Sequence, residues 1–217
     1  MKKHIVCLGD SNTHGSCADP KDSADGTRRF NEEERWPCRL QKLLGDDYLV
    51  LEEGMSGRTM VSTDPLTEGI PALDVIYPIL MTHEPVDLLI IMLGTNDTKD
   101  RFGLSPACIA AGMDRLLNKA KAIPCWGTHA PNILVICPPH IGKEMADGPI
   151  GPIMGVHCAE KSAQLAVCME PVVKAQGFAF LDAEGIAEIN QIDYTHLTRK
   201  GHADLASHLA QIIPTLI

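Results

Sequence analysis

No stretch of this chain approaches the ~20 consecutive apolar residues that a membrane-spanning helix needs, so no integral membrane segment is expected. Positive charge is also scarce. Nineteen Lys and Arg stand against 28 Asp and Glu, a formal net charge of −9. That balance excludes a protein that follows nucleic-acid phosphates or anionic lipid by bulk charge. Neither nucleic acid nor membrane is expected as a partner.

Other absences narrow the class further. Eight cysteines are present, yet none forms a C-x-x-C pair. Lys2 and Lys3 precede an apolar stretch, but Gly9 and Asp10 end it too soon for a signal peptide. Reduced thiols and a cytoplasmic location are the expectation. No H-E-x-x-H or H-x-x-E-H pattern occurs, and no cysteine pair flanks His14, His129, His140 or His157. No metal or other cofactor is therefore expected. Internal repeats and low-complexity segments are missing as well.

What is present is an alternation of apolar runs and amphipathic stretches. The 217 residues suit one domain spanning 1–217. Strands are expected at His4–Leu8, Tyr48–Leu51, Asp87–Leu93, Asn132–Cys137 and Phe178–Leu181. The run Asp87-Leu88-Leu89-Ile90-Ile91-Met92-Leu93 is continuous, as in a parallel strand buried on both faces. Helices are expected at Trp36–Leu44, Ile70–Met81, Pro106–Ala122 (capped by Ser105), His157–Ala175 with a kink or break at Pro171, and Leu197–Ile213. Two long loops, Cys17–Glu34 and His140–Gly155, remain. Strand and helix in turn give an α/β fold with a parallel sheet of about five strands.

Parallel sheets bind ligands at the carboxyl ends of their strands. Gly9-Asp10-Ser11-Asn12 follows the first strand, Gly54-Met55-Ser56-Gly57-Arg58-Thr59 the second and Gly94-Thr95-Asn96-Asp97 the third. Asp193-Tyr194-Thr195-His196 comes shortly after the fifth. A serine hydroxyl needs a base, and His196 suits, since an imidazole titrates near neutrality. Asp193, three residues earlier, can orient the ring. The N–H groups of Ser11 and Gly57 and the Asn96 carboxamide suit an oxyanion. Taken singly, each block has a plain structural reading: a turn, a glycine with positive φ, a helix cap, a solvated ion pair. Their joint occurrence at successive strand ends favours chemistry. Arg58 reads as an anion contact or as a partner for Asp64 or another carboxylate. His202 and His208 read as partly buried or surface residues of the last helix.

Gly9-Asp10-Ser11, Gly57, Gly94-x-Asn96-Asp97 and Asp193-x-x-His196 resemble the four blocks of the SGNH (GDSL-type) hydrolases, over the chain from Ile5 to beyond His202. The resemblance implies a flavodoxin-like, three-layer α/β/α sandwich. It also implies Ser11 as nucleophile, His196 as base, Asp193 as its orienting group, and the Ser11 N–H, Gly57 and Asn96 as oxyanion donors. The pattern differs from G-x-S-x-G, whose second glycine would here have to be Gly15. Longer strings resemble the arylesterase and acyltransferase branch: Arg35-Trp36, Glu52-Glu53-Gly54, Ser56-x-Arg58-Thr59 and Ile90 through Lys99. That branch implies short-chain aryl or alkyl esters as small-molecule substrates, acyl transfer to alcohols in some members, and homo-oligomers. A histidine stands at position 14, where several members carry an aromatic residue, so hydrolysis is the expected main activity. Asp10, Asn12, His14 and Thr95 are expected to contact substrate, with Ile153 and Met154 lining an acyl pocket. Two rivals remain: a sugar deacetylase or thioesterase with the same triad, and a non-catalytic flavodoxin-like binding module. The second lacks a G-x-G-x-x-G cradle.

Overall fold

A computed structural model describes residues 2–68 and 71–217. Five strands, β1 (Lys3–Gly9), β2 (Tyr48–Gly54), β3 (Leu88–Met92), β4 (Ile133–Cys137) and β5 (Ala179–Asp182), pair in the order β2-β1-β3-β4-β5. Every pairing is parallel, with Ile5 opposite both Val50 and Leu88, and Leu89 opposite Ile133. The helices are α1 (Ser11–His14), α2 (Trp36–Leu44), α3 (Ala72–Thr82), α4 (Pro106–Lys121), α5 (Gly151–Met154), α6 (Cys158–Ser162), α7 (Leu165–Ala175) and α8 (Arg199–Ile212).

The side-chain period of two divides the core between the two faces of the sheet. Val6, Leu8, Leu89, Ile91, Ile133 and Val135 pack with Ile76 and Leu80 of α3, Met113 and Leu117 of α4, and Met169 and Val173 of α7. Ile5, Cys7, Leu88, Ile90, Leu134 and Ile136 pack with Trp36 and Leu40 of α2 and Leu205 and Leu209 of α8. Every residue of β3 is buried. This is the three-layer α/β/α sandwich, and it explains why the central strands carry no polar alternation. No helix among the described residues is long and apolar enough to cross a membrane.

Three local expectations change. The helix expected over 157–175 is two, broken at Ala163 and Gln164, while Pro171 lies inside α7. Proline removes the N–H that would bond the carbonyl four residues back. That residue, Val167, is 77% exposed, so water can replace the bond. Pro78 in α3 likewise follows an exposed Asp74. The closing helix starts at Arg199 rather than Leu197, because the Thr198 side chain caps it by accepting from the Gly201 N–H. The segment expected as a loop over 140–155 contains a 3-10 turn at Lys143–Asp147 and α5. Its glycine and proline content reads as loop, but Pro152 suits the first turn of α5, and Gly155 ends it at φ 99°. Ile70, the first residue of another expected helix, lies outside the described residues; Ser105 caps α4 as expected, accepting from the Cys108 N–H.

Candidate active site

Strand order reverses between β1 and β3, and the side chains of interest meet at their carboxyl ends. The Asp10 side chain caps α1 by accepting from the Asn12 N–H at 2.9 Å. Ser11 is thereby set at the first position of a one-turn helix. Gly9 permits the tight approach, since a Cβ there would lie 2.0 Å from Thr13 Oγ1.

Ser11 Oγ lies 3.0 Å from His196 Nε2, and His196 Nδ1 lies 2.6 Å from Asp193 Oδ2. A carboxylate only accepts, so Nδ1 donates to it and Nε2 is left to accept the serine proton. Asp193 Oδ1 accepts from the N–H groups of Thr195 and His196, both at 3.0 Å, and from Asn190 Nδ2 at 2.8 Å. Burial alone would raise the Asp193 pKa. The hydrogen bonds and charge of His196, with the hydrogen bond from Asn190, overcome this and hold it well below the carboxylate range. Tyr194 turns the chain between the two at φ 54°, a left-handed conformation that non-glycine residues seldom adopt. Its carbonyl accepts from the Gly142 N–H at 2.8 Å.

The turn after β2 docks on the same point. The Met55 N–H donates to the Gly9 carbonyl at 3.1 Å, and the Ser16 and Ser56 hydroxyls are 3.1 Å apart. Gly57 in this turn has φ 84°, where a side chain is strained. Arg58 does not pair with Asp64. Its Nη1 donates to the Gly9 carbonyl at 3.2 Å and to the Glu53 carbonyl, tying the ends of β1 and β2. Asp64 is instead held by Lys99 at 2.8 Å and Arg101 at 3.0 Å. These bonds, against the opposing effect of burial, lower its pKa to about 2.

After β3, Asn96 opens a 3-10 turn, and its Nδ2 donates to Asp10 Oδ2 at 3.3 Å. That bond uses one of the two N–H groups of the carboxamide. Asp97 accepts from the Met60 N–H at 3.0 Å. Burial raises Asp10 to about 6 and Asp97 to about 7, the latter helped by the charge of Asp10.

Ser11, Asp193, His196 and Asn96 thus come together, with the Gly57 turn beside them. The expected substrate contacts divide. Asp10 and Asn12 are each 1% exposed and spend their polar atoms on the protein: Asp10 on Asn12 and Asn96, Asn12 on Thr195 and Leu197. Thr95 is buried. His14 is half-buried, and burial followed by the charge of Arg29 lowers its pKa. Ile153 is exposed, whereas Met154 is buried against Ile141, Met145 and Cys158. His202 is fully buried, its Nδ1 accepting from the Trp36 N–H at 3.2 Å; burial lowers its pKa to about 3. Asn190 escaped the sequence reading, although an Asn three residues before an Asp is an available turn signal. Among the described residues no group of three or more His, Cys, Asp or Glu is placed to hold a metal ion.

Comparison with known proteins places the chain in a family. The GDSL-like lipase/acylhydrolase family matches residues 7–203. An aryl esterase of M. smegmatis is 32% identical and superposes with a TM-score of 0.87 over 99% of this chain and 100% of that one. A carbohydrate acetylesterase from Sinorhizobium meliloti is 31% identical, with a TM-score of 0.88 over 100% of both chains. A lipase/acylhydrolase from Enterococcus faecalis, 18% identical with a TM-score of 0.65 over 99% of this chain and 97% of that one, shares the fold. No curated protein sequence matches. A serine, a histidine and an asparagine gathered at the β1–β3 reversal, with the family match running through all of them, give one conclusion: the chain is a carboxylic ester hydrolase and belongs to the GDSL-like lipase/acylhydrolase family.

Proposed function

We propose that the protein hydrolyses short-chain aryl and alkyl esters through an acyl-Ser11 intermediate. The unbroken chain Ser11 Oγ to His196 Nε2 at 3.0 Å and His196 Nδ1 to Asp193 Oδ2 at 2.6 Å carries the reading. Ser11 Oγ attacks the ester carbonyl carbon while its proton passes to His196 Nε2. The negative oxygen of the tetrahedral intermediate receives the N–H groups of Ser11 and Gly57 and the free N–H of Asn96. Collapse breaks the bond to the leaving oxygen, which takes the proton from His196. Water then attacks the acyl group, again losing a proton to His196, and the acid departs as Ser11 regains its hydrogen. Asp193 stays ionised and holds the ring.

An alcohol in place of that water would give acyl transfer by the same steps. The neighbouring acetylesterase structure favours a second substrate class, acetyl groups on sugars. Triad chemistry serves both, so a panel of aryl acetates and acetylated sugars separates them. The free state of all eight cysteines supports a reducing compartment, the cytoplasm, and the branch resemblance supports a homo-oligomer, which light scattering would reveal. The central test is Ser11→Ala. Hydrolysis of p-nitrophenyl acetate and covalent labelling by a fluorophosphonate are both expected to vanish while the far-ultraviolet circular dichroism is retained. Activity persisting in a clean variant would end the reading.

A further inference from the structure

The side chain next to the nucleophile grips the turn that carries the base. Asn12 Nδ2 donates to the Thr195 carbonyl at 3.3 Å, and Asn12 Oδ1 accepts from the Leu197 N–H at 2.9 Å. One planar carboxamide therefore spans the two peptide groups flanking His196, across more than 180 residues of chain. Asn12, Thr195 and Leu197 are all nearly inaccessible, at 1%, 5% and 1% exposed. Water does not compete for these bonds.

The other restraints on His196 belong to its own turn. Its N–H is held by Asp193 Oδ1 at 3.0 Å, and its carbonyl by the Asn190 N–H at 2.9 Å and by Asn190 Nδ2 at 2.8 Å. They shape the turn but do not fix its distance from α1. Among the described residues, only three hydrogen bonds join residues 10–16 to residues 193–198: the Ser11–His196 bond and the two made by Asn12. The Ser11–His196 bond is the one that must change as the proton moves. The two Asn12 bonds involve no reacting atom and so can persist through that change.

We infer that Asn12 is a positioning residue for the reaction, holding the imidazole of His196 at transfer distance from the Ser11 hydroxyl by bridging the Thr195 carbonyl and the Leu197 N–H. The inference rests on the acyl-serine reading above. Asn12 itself touches no reacting atom. Displacing a reacting group by about 1 Å can cost on the order of 100-fold in rate.

The test uses Asn12→Ala and Asn12→Leu, the latter restoring the Gly-Asp-Ser-Leu string of the family's name. For p-nitrophenyl acetate, kcat is expected to fall at least about tenfold, with KM within about twofold of the wild type. The rate constant for fluorophosphonate inactivation, which also needs the serine proton removed, falls in parallel. A purely structural role would lower Tm and leave kcat unchanged below the transition. A folded variant with wild-type kcat and inactivation rate overturns the inference. Should both apolar variants fail to fold, the near-isosteric Asn12→Asp still loses the donation to Thr195. It is expected to lose at least about threefold in kcat, and wild-type kcat in it overturns the inference equally. Failure of the wider reading looks different, because the wild-type enzyme would then neither hydrolyse the ester nor take the label.

Discussion

Asp10 and Asn96, 86 residues apart, meet side chain to side chain where β1 and β3 end, at 3.3 Å. The other oxygen of Asp10 caps the helix that begins with Ser11. One buried carboxylate therefore sets both the nucleophile and the carboxamide proposed to stabilise the oxyanion.

That relationship makes Asn96 a sharp test of the site. Loss of a single oxyanion donor typically costs about 2.7–4 kcal/mol of barrier. Asn96→Ala is expected to lower kcat on p-nitrophenyl acetate at least about tenfold, and toward the 10²–10³ range such losses show, with little change in KM. Steady-state kinetics at saturating ester decides it. An unchanged kcat removes Asn96 from the reaction.

The buried carboxylates give a pH dependence of stability. Burial lifts Asp10 to about 6 and Asp97 to about 7, above the ordinary carboxylate value of about 3.9. Between roughly pH 4 and pH 7 the folded protein keeps protons that the unfolded chain has released. The stability these groups confer is thus complete below about pH 4 and lost as pH rises through 6 to 7. Each tenfold difference in proton affinity between the folded and unfolded chain is worth about 1.36 kcal/mol, so each group's share of the loss amounts to a few kcal/mol. Asp97→Asn keeps an acceptor for the Met60 N–H and removes the buried charge. The urea midpoint of the variant is expected to decline less than that of the wild type between pH 5 and pH 8. Equal declines would place the titration elsewhere.

The two-sided core predicts equal sensitivity on opposite faces of β3. Leu89 and Ile90 point to different helix layers, and both are 0% exposed. Leu89→Ala and Ile90→Ala are each expected to cost about 2–5 kcal/mol, read from chemical denaturation. A loss under about 1 kcal/mol at either position would mean that one face of the strand is open to solvent.

Much of the fold was legible in residue order. The unbroken apolar run at Leu88–Met92 identified the buried central strand, and Ser105-Pro106 marked the start of α4. The candidate site residues stood out because Ser11, Gly57 and Asn96 sit in short strings just after strands, and Asp193 and His196 in one further on from β5. Less legible was the fate of neighbouring polar groups. A buried polar atom must find a partner wherever the chain happens to fold. Asn12 found Thr195 and Leu197, Asp10 found Asn96, and Arg58 found two backbone carbonyls. None of those pairings follows from sequence spacing.

By itself, then, the sequence determined which elements form and which residue types stand at the ends of the strands. Local periodicity, caps and turn residues act over a few positions and need no tertiary context. Only the tertiary structure decided that a hydroxyl at position 11 and an imidazole at position 196 lie 3.0 Å apart. Strand order brings the end of β1 to the reversal point of the sheet, and the turn before α8 meets it there through the Ser11–His196 bond and the two bonds of Asn12.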